Sequence, residues 1–171
     1  MEPTQHRFAA RLIWTGSKQT GTTGYADYGR GYTVEVEGKP TLSGSAAPEF
    51  LGDPARHNPE DLFIAAVAGC HMLTYLALCA RRGVQVLAYE DESSGVLAID
   101  PPGDGGGRFT RVDLKPTVTI AEAGDKAVAE RLHETAHEQC FIANSCAVPI
   151  RCNATVRVAK GTENRKGESA R

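Results

Sequence analysis

The sequence predicts one domain of the α+β class. Strand-like segments are separated by only two helical segments, without the strict strand–helix alternation of a parallel α/β protein. A chain of 171 residues is long enough for one sizeable core. No change in composition marks a second domain, so we expect a single domain over residues 1–160. The charged residues 161–171 lack the apolar side chains needed to fold and are predicted to form a disordered tail.

The residues before the first helix are predicted to form a strand and a hairpin. Residues 7–15 contain several large apolar side chains and are expected to form the first strand. After a connection rich in glycine and threonine, residues 33–37 alternate apolar and polar side chains up to Gly38-Lys39-Pro40, a turn signal. Residues 43–57 are rich in Ser, Gly, Pro and Ala and are expected to form a loop before the helix.

Residues 58–83 carry the strongest helix signals in the chain. Asn58 is a favourable N-cap, and Asp61 is placed to complete a reciprocal capping pair. Gly83 is expected to end the helix. Because nearly every side chain between residues 62 and 80 is apolar, we expect this helix to be buried on nearly every face.

That apolar run is long enough to raise the question of a membrane span. It is rich in alanine and lies among strand-like segments, which favours the core helix of a soluble protein without membrane association. The N-terminus lacks the apolar core of a secretory signal, so we predict a cytoplasmic protein. A net charge of −2 and a pI of about 6.2 give no electrostatic basis for a nucleic-acid partner.

The residues after Gly83 are predicted to form further strands around a second helix. Strands are expected over residues 84–90, 95–100 and 109–120, with a glycine-rich turn over 101–107. Pro116 indicates a sheet edge or a bulge. Residues 125–139 are expected to form the second helix, with an apolar line of Val128, Leu132 and Ala136. The last strand is expected over 149–159.

The five cysteines are Cys70, Cys79, Cys140, Cys146 and Cys152. They cannot all pair within one chain, and none has the C-x-x-C spacing of structural zinc sites. Cys79 lies on the opposite side of the helix from Cys70, and Cys152 alternates with apolar residues, so both are interpreted as core residues. Cys70 in the buried helix and Cys140 at a helix end, where a thiol stays accessible, suit peroxide reduction instead. One thiolate becomes a sulfenic acid, and the other thiol condenses with it to a disulfide.

A reactive thiolate needs a nearby cation. Cys70 lies about three turns from the positive end of its helix, so an arginine from elsewhere must supply the charge. Glu60, ten residues earlier, lies roughly 15 Å away along the axis and is turned by about 80°. If Glu60 helps to organise the thiolate, it comes from a second copy of the chain. Dimer packing then also covers the apolar helix.

The segment from Asn58-Pro59-Glu60 through small apolar residues to Ala68-Gly69-Cys70 resembles the Asn-Pro-Glu to Ala-x-Cys pattern of the OsmC/Ohr family of thiol peroxidases. The likeness extends to residues 109–112 and 140–144 and covers about residues 7–159. It implies an antiparallel sheet wrapped around a long buried central helix in an intertwined homodimer. It also implies reduction of organic hydroperoxides to alcohols and reset by an external dithiol, typically of the lipoyl type. No metal or organic cofactor is implied.

The resemblance implies four site residues: Cys70 as the peroxidatic cysteine, Cys140 as the resolving cysteine, Arg30 as the arginine that stabilises the thiolate, and Glu60 as the partner of that arginine. Arg56 is the alternative arginine. The chain departs from the family at Phe141, where proline usually follows the second cysteine, and at His71. Cys146 is an alternative resolving cysteine.

Two other functions compete with this one. The segment His133-Glu134-Thr135-Ala136-His137 matches the H-E-x-x-H motif of zinc proteases. The extended motif fails, because Cys140 and Ala143 occupy its glycine and third histidine positions, so we interpret the two histidines as an exposed helix face. The second alternative is a dimer that senses oxidants through Cys70, or binds small apolar ligands, without turnover.

Overall fold

The computed structural model shows an α+β protein, as the sequence predicts, and describes residues 4–19, 21–100 and 106–160. The chain divides into two units, Met1–Phe63 and Ile64–Arg171, and the boundary falls inside the first long helix. Residues 101–105 of the expected glycine-rich turn, and the whole of the expected tail, lie outside the described residues.

The first unit contains a three-stranded antiparallel sheet. Its strands are β1 (Arg11–Trp14), β2 (Tyr32–Glu35) and β3 (Leu42–Gly44), in that order. The predicted hairpin is present, since β2 and β3 are antiparallel neighbours and Gly38 between them has a φ of 74°. A short 3₁₀ helix, Pro48–Phe50, lies in the loop that leads to the first long helix.

Helix α1, Pro59–Arg82, begins and ends where the sequence predicts. Asn58 Oδ1 accepts a hydrogen bond of 2.7 Å from the Asp61 N–H, and Asp61 Oδ2 accepts one of 3.3 Å from the Asn58 N–H. These two bonds satisfy backbone donors that have no partner within the helix. At the other end Gly83 has a φ of 74°, the left-handed conformation that glycine adopts most easily.

Only one stripe of α1 is fully buried within a single chain. It consists of Val67, His71, Tyr75 and Cys79, which follow one another at a spacing of four residues. The expectation of burial on nearly every face is therefore not met, and Leu73 keeps 64% of its surface exposed. By length and composition, α1 is the one helix of the described residues that passes the criteria for a membrane span, which core helices of soluble proteins also pass.

The second unit is built on three strands that are each broken in two. They are β4 (Val86–Asp91) with β5 (Ser94–Ile99), β6 (Gly107–Leu114) with β7 (Pro116–Ile120), and β8 (Ile150–Cys152) with β9 (Thr155–Val158). The six segments form two three-stranded sheets, ordered β4-β7-β9 and β5-β6-β8, and each sheet takes one segment from each broken strand. The middle strand in both sheets comes from the predicted strand over residues 109–120.

The pairing of these strands corrects two expectations. Pro116 is not at a sheet edge but begins the central strand β7, directly after the break at Lys115. A proline is tolerated at the first residue of a strand because no ladder bond requires its N–H there. The sheets are mixed rather than antiparallel, because β8 and β9 run parallel to β6 and β7. A parallel neighbour requires a crossover connection, which helix α2, Lys126–Gln139, supplies.

Helix α2 covers the core of the second unit. Its buried residues are Ala129, Leu132, His133 and Ala136, so the predicted apolar line is confirmed at Leu132 and Ala136, while Val128 is partly buried. The apolar side chains among these form one cluster with Tyr75 and Cys79 of α1 and with Val118 and Ile120 of β7. A 3₁₀ turn, Ala123–Asp125, precedes α2, and the short helix α3, Phe141–Asn144, follows it.

The capping pair gives a direct test of how α1 begins. We expect Asn58→Ala to lower the free energy of unfolding by about 1 kcal/mol, because the Asp61 N–H loses its acceptor. Asn58→Asp keeps an acceptor and should restore most of the loss. The measurement is urea unfolding followed by circular dichroism. Asn153→Ala, an exposed position between β8 and β9, is the control. Equal midpoints for Asn58→Ala and this control would contradict the capping role.

Candidate active site

Two cysteines far apart in the sequence meet in the second unit. The thiol of Cys70, on α1, lies close enough to the thiol of Cys140, at the junction of α2 and α3, to raise its pKa through a side-chain hydrogen bond. Cys70 is half-buried, whereas Cys140 has no exposed surface. The structure thus brings together the two cysteines that the sequence analysis predicts to be the reactive pair. It corrects the expectation that the Cys140 thiol stays accessible.

The backbone around Cys140 fixes the position of its sulfur. Helix α2 ends at Gln139, and Cys140 takes an extended conformation that caps α3. Its Sγ accepts a hydrogen bond of 3.5 Å from the Ala143 N–H. The Asn144 side chain donates to the Glu138 carbonyl oxygen at 2.8 Å and so ties α3 to the end of α2. The thiol is therefore held by the helix junction and does not depend on a flexible loop.

Burial, together with the hydrogen bond to Cys70, raises the pKa of the Cys140 thiol to about 11. Cys140 therefore keeps its proton at neutral pH, and its sulfur is not the first to react with a solute. Cys70 presents the more accessible sulfur of the pair. The two thiols are consequently unequal in access, as an attacking and a resolving thiol must be.

Cys146, the alternative resolving cysteine, has a different partner. Its thiol donates to the Ile142 carbonyl oxygen at 3.1 Å, within the turn that ends α3. The thiol that contacts Cys70 is that of Cys140. Geometry thus favours Cys140 over Cys146 for a direct reaction with Cys70.

The predicted arginine and glutamate lie in the first unit. The Arg30 guanidinium donates to the carbonyl oxygens of Tyr25 and Tyr28 and lies 4.7 Å and 4.0 Å from the centres of their rings. Glu60 Oε2 is buried without a hydrogen-bond partner among the described residues. After burial, the Glu60 charge is the second cause that raises the pKa of Tyr32. Over the described part of the first unit, Arg30 and Glu60 form no ion pair.

Arg56, the alternative arginine, is held close to the same stretch of backbone. Its Nε pairs with Asp53 Oδ2 at 3.1 Å, and a Cβ added at Gly31 would lie 3.0 Å from its Nη1. The Arg56 guanidinium therefore lies beside Gly31, the residue that follows Arg30. The predicted approach of one of them to Cys70 stays a prediction.

A second cluster of reactive side chains lies in the second unit, and the sequence did not reveal it. His71 Nε2 and His133 Nδ1 are 3.1 Å apart, and Cys152 Sγ is 3.5 Å from His71 Nε2. His133 is buried, not on an exposed helix face. Cys152 lies beside two imidazoles, where apolar packing was expected. Of the two histidines of the H-E-x-x-H motif, His133 belongs to this group and His137 does not.

Both imidazoles are held neutral by their surroundings. Burial is the main cause that lowers the pKa of His71, and burial together with His71 lowers the pKa of His133 to about 4. The Tyr75 ring stacks on the His133 ring, with 3.8 Å between their centres. One signal of this group was present in the sequence: His71 lies four residues from Val67 and from Tyr75, on the stripe of α1 that the core covers.

The fold and the contacting thiols define an α+β protein with a candidate dithiol centre between its long helix and a short one. The family model for OsmC-like proteins matches residues 52–155, which is more than half of the chain. The chain therefore belongs to the OsmC-like family. The matched range includes α1, both cysteines of the dithiol centre and the histidine cluster.

Relatives are similar over nearly their whole length. The uncharacterised protein YmaD of Bacillus subtilis (strain 168) is 26% identical over 160 residues, which are 90% of this chain and 96% of that protein. An OsmC-like protein of unknown function from Vibrio cholerae is 29% identical, with a TM-score of 0.78 over 88% of this chain and 100% of that one. The organic hydroperoxide resistance protein OhrB of Bacillus subtilis, 21% identical, shares the fold at a TM-score of 0.57 over 86% and 98%.

The burial of Cys140 predicts its reactivity toward alkylation. Iodoacetamide reacts with the thiolate, so a pKa raised from 9.0 to about 11 leaves Cys140 about 100-fold less thiolate below pH 9 than in the unfolded chain. We expect Cys140 to be alkylated far more slowly than Cys146 in the native protein at pH 8, and at a similar rate in urea. The Cys140 rate should increase as the pH rises toward 11.

Mass spectrometry measures the two rates in one sample. Cys140 and Cys146 lie between the same two arginines, Arg131 and Arg151, so fragment ions of that tryptic peptide must distinguish them. The half-buried Cys146 is the internal control. Native Cys140 reacting as fast as Cys146 at pH 8 would refute the buried, protonated thiol.

Proposed function

We propose that this protein is a thiol peroxidase that reduces organic hydroperoxides to alcohols. The observation that carries the proposal is the contact between the thiols of Cys70 and Cys140. Solved structures of the same fold include proteins named as organic hydroperoxide resistance proteins from Elizabethkingia anophelis, Legionella pneumophila and Bacillus subtilis. These names support the substrate class, and the contact supports the chemistry.

The reaction takes three steps. The Cys70 thiolate attacks the terminal peroxide oxygen, the O–O bond breaks, and the alkoxide takes a proton to leave as the alcohol, so that Cys70 becomes a sulfenic acid. The Cys140 thiol then condenses with the sulfenic acid, releasing water and forming a disulfide. An external dithiol of the lipoyl type reduces this disulfide by exchange and is itself oxidised to its cyclic disulfide.

The unequal burial of the two thiols supports this assignment of roles. A peroxide in solution reaches the half-buried Cys70, whereas Cys140 is enclosed. The resolving thiol needs no access to solvent, because its reaction partner forms beside it. The protonated state of Cys140 also keeps a second thiolate away from the peroxide until the sulfenic acid has formed.

The thiolate of Cys70 requires a cation, which we assign to Arg30. Glu60 supports this assignment, because its buried Oε2 has a free lone pair that a guanidinium can fill with a charge-assisted hydrogen bond. In one chain, Arg30 is bonded to the carbonyl oxygens of Tyr25 and Tyr28. We propose that both residues reach Cys70 from a second copy, where Arg30 exchanges these carbonyl bonds for the Glu60 carboxylate.

The surface of α1 supports a homodimer. A single chain leaves Leu73 and several alanines of this helix exposed, and a second copy packed on them removes this apolar area from water. Phe141 and Ile142 are also exposed, at 82% and 39%, directly beside Cys140. Apolar side chains at this position favour lipid-like or aromatic hydroperoxides over hydrogen peroxide. We retain the cytoplasm as the proposed location, where small dithiols are available.

Cysteine variants test the mechanism. With cumene hydroperoxide and dihydrolipoamide in excess, the wild type should form many equivalents of alcohol per chain. Cys70→Ser should lose activity by at least about 1000-fold, because the attacking sulfur is gone. Without the dithiol, Cys140→Ser should consume about one equivalent of peroxide and form no intramolecular disulfide. Cys146→Ser is the matched control and should retain activity.

Three outcomes would count against the proposal. Full turnover in Cys70→Ser would exclude the whole mechanism. Loss of the disulfide in Cys146→Ser alone would transfer the resolving role to Cys146. Formation of about one equivalent of alcohol per wild-type chain, despite fresh dithiol, would indicate a redox sensor instead of an enzyme.

A pair of arginine variants tests the cation. Arg30→Gln should lower kcat/KM for the hydroperoxide by about 100-fold, the typical effect of removing one preorganised charge donor from a reacting centre. Arg56→Gln should change it little, and circular dichroism should show that both variants fold. The opposite ranking, with the large loss in Arg56→Gln, would assign the site to Arg56.

A further inference from the structure

The side chains of His71, His133 and Cys152 converge from three separate elements of the second unit. They come from α1, α2 and β8, respectively. One potential ligand atom from each residue lies within 4.8 Å of the other two, and both imidazoles are buried. The dithiol chemistry proposed above uses none of these three residues. Two imidazoles and one thiolate form a ligand set that suits Zn²⁺.

We propose that His71 Nε2, His133 Nδ1 and Cys152 Sγ bind one Zn²⁺ ion as a three-ligand site. Tetrahedral zinc with bonds of about 2.0–2.1 Å to nitrogen and about 2.3 Å to sulfur requires ligand separations of about 3.3 Å between nitrogens and about 3.6 Å between nitrogen and sulfur. The structure has 3.1 Å between the two nitrogens and 3.5 Å between Cys152 Sγ and His71 Nε2. The third separation, between the Cys152 and His133 ligand atoms, is at most 4.8 Å, so Zn²⁺ binding must shorten it by up to about 1.2 Å through side-chain rotation.

Without the ion, a proton holds the two rings together. Their planes differ by only 7°, their centres are 5.5 Å apart, and the facing nitrogens share one hydrogen bond. On binding, this proton moves to the outer nitrogen of the same ring, the rings turn their lone pairs toward the ion, and Cys152 releases its thiol proton. One Zn²⁺ therefore binds with the release of one proton, and the site gains one positive charge.

Asp91 supplies a negative charge near the cluster. Its carboxylate acts electrostatically on both His71 and Cys152. Asp91 Oδ1 accepts hydrogen bonds from Ser93 Oγ and the Lys115 N–H, whereas Oδ2 is buried without a hydrogen-bond partner among the described residues. Ligating histidines usually donate their outer N–H to such an acceptor, and the outer nitrogens His71 Nδ1 and His133 Nε2 are likewise buried without a hydrogen-bond partner among the described residues. The free oxygen thus fits a charged metal centre better than a neutral core.

A cleft of about 500 Å³ gives the site access to solvent. His133 and Cys152 line this cleft, so an ion and a water ligand would reach the cluster from this side. Three glutamates on one row of α2, Glu130, Glu134 and Glu138, line the same cleft. Their negative field attracts a cation to the entrance. This cleft also contains the half of the H-E-x-x-H motif that the cluster leaves unused.

Cobalt and zinc binding to the full-length reduced chain test the proposal. The Cys70→Ser/Cys140→Ser background removes the other contacting thiols, so any thiolate-to-Co²⁺ charge-transfer band reports on the remaining cysteines. We expect one Co²⁺ per chain with that band and with the strong visible absorption of a tetrahedral ion, and displacement of Co²⁺ by Zn²⁺. Adding Cys152→Ser should abolish the band and weaken Zn²⁺ binding by at least about 100-fold.

Further variants keep the result interpretable. Cys146→Ser and His137→Ala in the same background should bind Zn²⁺ as tightly as the background does. Zn²⁺ should raise the melting temperature of the background but not that of the Cys152→Ser or His133→Asn variants, and circular dichroism identifies any variant that does not fold. The absence of a one-to-one complex, or an unchanged Zn²⁺ affinity in folded Cys152→Ser, would overturn the proposal. Loss of binding in His137→Ala with retention in Cys152→Ser would instead assign the metal to the H-E-x-x-H pair.

Discussion

The packing of α1 against the core of the second unit positions both reactive groups. The buried stripe of this helix follows a spacing of four residues, which fixes the rotation of the helix about its axis. Successive residues on a helix point about 100° apart, so Cys70 and its neighbour His71 face different surroundings. Cys70 meets Cys140 at the end of α2, and His71 meets His133 in the middle of α2. The rotation of α1 about its own axis therefore positions both the dithiol centre and the histidine cluster.

The break in the three strands helps to position Cys152 in the cluster of His71, His133 and Cys152. Asp91 accepts the Lys115 N–H at 2.8 Å at the point where β6 passes into β7, which satisfies a donor that the ladder does not use. The break lets β8 present Cys152 to His71, while β9 sends Val156 into the apolar core. A straight strand would keep both side chains on one face of one sheet, because they are four residues apart.

The sequence predicted the features that depend on local chemistry. The capping pair of Asn58 and Asp61 and the stop at Gly83 are set by backbone groups within a few residues, so both were predictable. The contact of Cys70 with Cys140 was predictable because a family pattern relates two distant segments. The exposed side of α1 was not predictable, because the sequence of a helix does not determine which other elements pack against it.

The histidine cluster was missed for a different physical reason. Alternation along the last strand shows that Cys152 faces inward, but only the parallel pairing with β6 places it opposite His71. Likewise, the spacing of His133 and His137 suggested a shared face, whereas α2 packs with His133 toward the core. Long-range pairing and helix rotation decide both cases, and neither is contained in a local pattern.

The five cysteines therefore have different environments and different roles. Cys79 is a small apolar side chain in the core cluster, and Cys146 satisfies its thiol on a backbone carbonyl. Cys70 and Cys152 each face a reactive partner, and the backbone of α1 links the two sites because His71 follows Cys70. A shift of α1 along its axis changes the distance between Cys70 and Cys140 and the distance between His71 and His133 together.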